Sequence, residues 1–296
     1  MFLHIPLIIV ISCFIWGLIE RHLYTIRSNE YIHVLPKGSQ DIVVLHISDI
    51  HLAPWQKRKQ RWLARLNERI QPDLVINTGD NLGHRNAITP LLSSLGNLKT
   101  HGVYVNGSND IYAPELTNPF SYLFSPSKRH RAEDKKLDVE LLNKGFGALG
   151  WQDLNNSNVQ LKIKGSTINF IGTDDAHEGR DDLSALQTKQ LSKADVVIGV
   201  THAPYLRIIE GLAEFGAGIV FAGHTHGGQV RIPFAKSALV TNCDLPRNLA
   251  RGMNFMKVGN KNILLNVCAG LGTSIYAPFR FACRPEVRVI TLTAKD

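Results

Sequence analysis

Cysteine is scarce. There are four in 296 residues, Cys13, Cys243, Cys268 and Cys283, and no two stand in CxxC spacing. That pattern excludes a zinc ribbon, an iron–sulfur site and a disulfide-dense secreted scaffold. Thirteen prolines and 24 glycines are too few for a fibrous or low-complexity chain. With 44% hydrophobic and 20% charged residues, global disorder is excluded too. No internal repeat recurs at a fixed period. Acidic residues are the minority charge, 25 against 33 Lys and Arg, which gives a formal charge of +8. Such a balance favours anionic partners, such as a phosphorylated ligand or a membrane surface. Nucleic acid is not an expected partner, because no aromatic-rich basic groove is visible.

Long apolar runs are also missing, with one exception. Residues 2–19 read FLHIPLIIVISCFIWGLI. At ~1.5 Å per residue the run is just long enough for a hydrocarbon core of roughly 30 Å. It lacks the charged n-region and A-x-A site of a signal peptide. The expectation is a single-pass anchor in the cell membrane over residues 1–27, a linker over 28–40 and one domain over 41–296. Arg21, Arg27 and Lys37 follow the run, which by the positive-inside rule places the domain on the cytoplasmic side.

Six short apolar runs read as buried strands, and each ends in a polar cluster. IVVLHI (42–47) runs into Ser48-Asp49-Ile50-His51, LVIN (74–77) into Thr78-Gly79-Asp80-Asn81, and VYVN (103–106) into Gly107-Ser108-Asn109-Asp110. INFI (168–171) leads to Gly172-Thr173-Asp174-Asp175, VVIGV (196–200) to Thr201-His202, and IVFA (219–222) to Gly223-His224-Thr225-His226-Gly227-Gly228. Helical stretches such as 56–70 and 183–192 separate several of them, which predicts a largely parallel α/β sheet. Loops at the carboxyl ends of such strands share one edge. That edge would collect Asp49, His51, Asp80, Asn109, His202, His224 and His226. Oxygen and imidazole donors without thiolate suit manganese, iron or zinc. Seven are too many for one tetrahedral ion, so the count points to two divalent ions sharing one carboxylate.

The ordered series D-x-H, G-D-N, G-x-N-D, a single His and G-H-T-H-G-G-Q (223–229) resembles the calcineurin-like metallophosphoesterases, closest to a membrane-associated bacterial branch. The resemblance covers residues from about Asp41 to the C-terminus. It implies a four-layer α/β/β/α sandwich, here preceded by one N-terminal transmembrane helix. By motif position, Asp49, His51 and His226 would hold one metal. Asn109, His202 and His224 would hold the other, and Asp80 would bridge them. Gly223, Gly227 and Gly228 would let backbone approach the metals.

The third motif departs from the family's Gly-Asn-His-Asp/Glu. Taken with Ser108 at the usual Gly, Asp110 stands at the usual His, a residue linked to leaving-group protonation. An anion there would repel phosphate. His84 and His177 are the candidate replacements. The expected catalytic set is therefore Asp80, Asn109, Asp110 and His84.

Three further segments bear on substrate. WQKRKQRWLARLNERI (55–70) places Trp62, Leu63, Leu66 and Ile70 on one helical face and a row of cations on the other, suited to a packed helix or to lipid head groups. The long connection 112–136 starts beside the expected site and is a candidate lid. The loops 242–247 and 277–284 are rich in Arg, and Arg280 and Arg284 are expected to contact substrate phosphate. Together these features predict a membrane-anchored dimetal phosphoric ester hydrolase acting on a phosphorylated small molecule or lipid. Its substrate would be a diester, a pyrophosphate or a monoester. A phospho-ligand-binding protein without turnover and a nuclease are the competing expectations.

Overall fold

The computed structural model describes residues 4–115, 135–188, 193–235 and 237–295. Among the described residues, twelve strands build two six-stranded sheets. The first runs in the order β1 (Thr25–Leu35), β12 (Glu286–Ala294), β2 (Ile42–Ile47), β3 (Leu74–Asn77), β4 (His101–Tyr104), β5 (Trp151–Asp153). The second is β10 (Gly252–Val258), β11 (Lys261–Val267), β9 (Ile219–Ala222), β8 (Val196–Val200), β7 (Ser166–Gly172), β6 (Ser157–Ile163). Strands β2 to β5 are mutually parallel, as are β7, β8, β9 and β11. β12 lies antiparallel to β2, and β6 and β10 pair antiparallel with their neighbours.

Burial on both faces explains why the parallel strands read as unbroken apolar runs. One face of each sheet meets the other: Val44, Ile76, Val103 and Ile290 pack against Phe170, Ile198, Val200 and Phe221. The outer face of the first sheet is covered by α2 (Lys57–Ala64), α3 (Leu66–Ile70), α4 (Ile88–Leu95) and α6 (Val139–Ala148). There Leu63, Leu66, Leu91, Leu95, Leu142 and Phe146 pack against Leu45, Ile47, Val75 and Trp151. The second sheet's outer face packs on α7 (Leu206–Glu214) through Ile208, Ile209 and Leu212. The result is the layering of helices, sheet, sheet and helix that the motif series implied. His46 joins the two sheets inside this core. Its Nε2 donates to Thr78 Oγ1 (3.0 Å), and its Nδ1 accepts from Asn266 Nδ2 of β11 (2.9 Å).

Several expectations need correction. The apolar N-terminal run forms α1 (His4–Glu20), 17 residues and so ~26 Å of helix. Among the described residues no helix is long and apolar enough to cross a membrane. The expected linker is a strand in its first part: Thr25–Leu35 adds β1 to the sheet edge, parallel to β12. Local sequence hid this, because the consecutive polar residues Arg27, Ser28, Asn29 and Glu30 interrupt the apolar pattern. The run at 287–292 falls in β12, which lies between β1 and β2 of the first sheet. The helix at 56–70 breaks at Arg65, which leaves helical geometry (φ −96°, ψ 2°). Of the helical stretch expected at 183–192, the described part carries a 3-10 turn, Ser184–Thr188, and 189–192 lie outside the described residues. The candidate lid lies mostly outside them too, at 116–134. Its described ends are tied together by Ala113 N to Lys135 O and Leu137 N to Ile111 O, both 2.8 Å.

Candidate metal centre

The loops after β2 and β3 zip together beyond the sheet. Asp49 N donates to Gly79 O, His51 N to Asp80 O and Leu52 N to Asn81 O, at 2.9–3.0 Å. This pairing holds backbone in a form L-residues avoid. Five of the seven expected ligands have left-handed φ: Asp49 (46°), His51 (41°), Asp80 (54°), His224 (66°) and His226 (50°). Each such residue costs about 1–3 kcal/mol, tolerated where surrounding bonds over-determine it. The left-handed turns aim the side chains at one point. Lys59 of α2 supports the same loop, although it was expected on the solvated basic face. It is buried and donates to Ile50 O (2.7 Å) and His51 O (3.4 Å), and burial pushes its ammonium down to about 7.

Two donor groups converge. Asp49, His51 and His226 form one, with His226 Nε2 3.6 Å from Asp49 Oδ1. Asp49, Asp80 and His202 form the other. Asp80 Oδ2 lies 3.4 Å from His51 Nε2 and 3.6 Å from His202 Nε2, between the two groups. His224 Nδ1 faces His202 Nε2 at 3.3 Å. The outer nitrogens of these two rings are committed: His202 Nδ1 donates to Thr78 O (2.7 Å) and His224 Nε2 to Asn242 O (3.1 Å). In the neutral rings, two lone pairs therefore point at each other, an arrangement that a cation resolves.

The electrostatics ask for the same thing. Asp49, Asp80 and Asp175 surround His202, and their charge overcomes burial to hold its imidazole up to about 9. Burial alone would raise Asp80, but His202, His51 and two Asn109 hydrogen bonds outweigh it and keep the carboxyl far below its usual range. Burial pushes Asp49 up to about 6 and His51 down to about 4, and it drops His224 and His226 well below the ordinary histidine value. Asp49 Oδ1 and both ring nitrogens of His51 are buried without a hydrogen-bond partner. An orphaned buried polar atom is costly, so the donor set fits a divalent ion.

The remaining sequence candidates separate. Asn109 reaches the centre: its backbone N donates to Asp80 Oδ1 (2.7 Å) and its Nδ2 to Asp80 Oδ2 (3.0 Å). Asp110 does not. It is fully buried, and its carboxylate accepts from Asn81 N (2.8 Å), Asn81 Nδ2 (3.1 Å) and Gly107 N (3.1 Å). By accepting from the N-cap Gly107 N–H it braces the turn that opens α5 (Ser108–Ile111), instead of facing a leaving group. This placement matches the motif's fourth position, which puts Asn109 at the family's histidine and Ser108 at its asparagine. The Ser108 hydroxyl donates to the buried Asp175 carboxylate. His84 has its described contacts outside the candidate ligand set. Its Nδ1 accepts from Asn86 N (3.1 Å), and its ring packs edge-on to Trp55. His177 is the histidine that tertiary structure brings in, 4.9 Å from the His224 ring with its Nδ1 3.0 Å from Tyr205 Oη.

Arg280 is also a support. It is wholly buried, donating to Ala269 O and Gly272 O (2.7 Å each) and to His226 Nδ1 (3.4 Å). Arg284 lines a separate cleft with His22, Tyr24, Arg58 and Trp62, which shares no residue with the ligand set. Of the three motif glycines only Gly223 approaches a ligand. A Cβ there would stand 1.9 Å from Ser48 Oγ and 2.6 Å from Asp49 Oδ2. Gly227 and Gly228 instead pack against Ala269 and Ala238.

The profile of the calcineurin-like phosphoesterase family matches residues 42–228. An uncharacterized metallophosphoesterase of Bacillus subtilis (strain 168), YkuE, is 25% identical over 288 residues, 94% of this chain and 87% of that protein. UDP-2,3-diacylglucosamine pyrophosphatase LpxG of Chlamydia muridarum is 26% identical over 284 residues, 83% of this chain and 82% of that protein. A transmembrane protein with metallophosphoesterase domain from Bos taurus is 25% identical over 231 residues, 71% of this chain and 46% of that protein. With the match spanning the strands that carry every expected ligand, the chain belongs to the calcineurin-like phosphoesterase family and is a metal-dependent phosphohydrolase.

Proposed function

We propose that the chain hydrolyses a pyrophosphate or phosphodiester bond in a lipid or lipid precursor, using two divalent ions. The observation that carries this reading is the position of Asp80 Oδ2, 3.4 Å from His51 Nε2 and 3.6 Å from His202 Nε2, within reach of a ring from each donor group. Asp49, His51 and His226 would hold one ion and His202 and His224 the other, with Asn109 beside Asp80. Bound there, such ions supply Lewis acidity to phosphoryl oxygens and an acidified water.

The chain's own residues do the rest. Thr78 O and Asn242 O fix the His202 and His224 rings, so each presents one nitrogen inward. Asn109 stands where the family places its histidine and offers a neutral amide dipole to a phosphoryl oxygen. His177, beside His224, is the candidate proton donor. The binding-only alternative rested on an anion at the leaving group, and Asp110 is turned away from that position.

The lipid assignment draws on the relative named as a UDP-2,3-diacylglucosamine pyrophosphatase and on α1. Ile8, Val10, Phe14 and Ile15 of this helix are each at least half exposed, which suits attachment to a membrane. A metal-replete screen tests the function. UDP-2,3-diacylglucosamine, a nitrophenyl diester, a nitrophenyl monoester and linear DNA would be compared with manganese, iron and zinc. Turnover of the first two above the others is expected. Turnover of DNA alone, or of the monoester alone, would sink the substrate assignment.

A further inference from the structure

A cationic cleft lies at the foot of α1, outside the metal centre. The cleft has a volume of ≈ 300 Å³ and is walled by His22, Tyr24, Arg58, Trp62 and Arg284. A second cleft of ≈ 240 Å³ shares Arg58 and Trp62 with it and continues along α2 and α3 to Arg61, Arg65 and Arg69. The five arginines Arg58, Arg61, Arg65, Arg69 and Arg284 are exposed, and none forms an ion pair among the described residues. The Nδ1 of His22 is buried without a hydrogen-bond partner. An uncompensated row of guanidinium groups repels itself unless an anion is added, and a guanidinium fork matches phosphate geometry.

The position of the cleft says where that anion comes from. It opens two residues after α1, which exposes Ile8, Ile9, Val10, Ile11, Phe14, Ile15 and Ile19. The helix is fixed to the domain at its last turn. The Glu20 carboxylate accepts from Cys283 N (2.7 Å) and Ala282 N (3.0 Å), and Phe14 stacks on Phe279. Arg284 follows this clamp directly. Trp55, 60% exposed at the start of α2, adds the aromatic character found at membrane interfaces. With α1 in hydrocarbon, the cleft lies at head-group depth.

We propose that this cleft binds the phosphate of an anionic phospholipid head group. The proposal rests on membrane attachment through α1 and is independent of the hydrolytic reading. The test is sedimentation of the full chain with vesicles of phosphatidylcholine, and of phosphatidylcholine mixed with phosphatidylglycerol, at low salt. Binding to neutral vesicles reports α1, and the anionic-to-neutral ratio reports the cleft. Each arginine near an anionic surface contributes roughly fivefold, so Arg58→Gln with Arg284→Gln should lower that ratio about 25-fold. Lys162→Gln with Lys257→Gln, on exposed positions of β6 and β10, makes the same charge change and should leave the ratio near wild type. Equal loss in both pairs would mean a diffuse field and would overturn the proposal, as would an unchanged ratio in the arginine pair. No binding to either vesicle would overturn α1 attachment as well. Thermal stabilisation by inorganic phosphate without vesicles, lost in the arginine pair, would overturn the lipid assignment. All four substituted side chains are exposed, so unfolding temperatures should match and exclude a folding defect.

Discussion

Protonating His46 should destabilise the domain, and the size of the effect follows from its surroundings. The ring is fully buried between the sheets, and burial pushes its pKa down to about 3, with Arg288 adding to the effect. Its Nδ1 must stay bare to accept from Asn266, so a second proton would set two donors face to face. In the unfolded chain the ring titrates near its ordinary value of about 6.5. A depressed folded pKa means stability is complete above about pH 6.5 and is lost as pH falls towards about 3. At pH 5 the unfolded state gains roughly 2 kcal/mol from binding this proton, and near pH 3 the loss reaches about 4 kcal/mol. His46→Gln keeps one donor and one acceptor in place and removes the titration. The assay is urea unfolding of wild type and variant at about pH 8 and about pH 5. Asp49, Asp110 and Asp175 have raised pKa values, chiefly from burial, and work in the opposite sense, gaining stability as pH falls. They are common to both chains and cancel in the difference. The variant should lose about 2 kcal/mol less than wild type between the two pH values. Identical losses would refute the reasoning.

Three other perturbations address the centre itself. Asp80→Asn should lower metal content and cut kcat/KM by roughly 100-fold or more, because an amide cannot neutralise two cations; plasma emission analysis with a diester assay checks both. His177→Ala should slow alkyl esters more than nitrophenyl esters, within the ~10²–10⁴-fold typical of a positioned acid, whereas His84→Ala should change neither; parallel kinetics on the two substrate types decide it. Arg280→Gln should cost about 3 kcal/mol in chemical denaturation, since the carbonyls of Ala269 and Gly272 lose a buried donor, and it should weaken metal retention through His226.

That the candidate donors gather at one edge was legible in the sequence for a physical reason. A strand buried on both faces must be continuously apolar, so the first polar residues after IVVLHI, LVIN, VVIGV and IVFA mark where the chain leaves the core. Strands β2, β3, β8 and β9 begin and end where those runs do. Parallel pairing then brings their carboxyl ends to one edge, and with them Asp49, His51, Asp80, His202, His224 and His226. That much needed no knowledge of which loop touches which.

What the sequence could not decide is the direction in which a loop side chain points, because its partner is remote along the chain. Asp110 reads as a catalytic anion until Asn81, 29 residues earlier, takes its carboxylate. Arg280 reads as a phosphate contact until the carbonyls of the 269–272 loop and His226, 54 residues away, enclose it. His84 and His177 are equivalent as loop histidines, and only the packing of one against Trp55 and the other against His224 separates them. The polar β1 segment becomes a strand because β12, some 260 residues later, offers it a free edge. Glu20 follows the same rule: an acid at the end of an apolar helix is buried where the remote backbone amides of Ala282 and Cys283, together with the Trp16 indole, donate to its carboxylate. Composition and periodicity determine what must leave water, whereas the pairing of polar groups across such distances is settled only when the chain has folded.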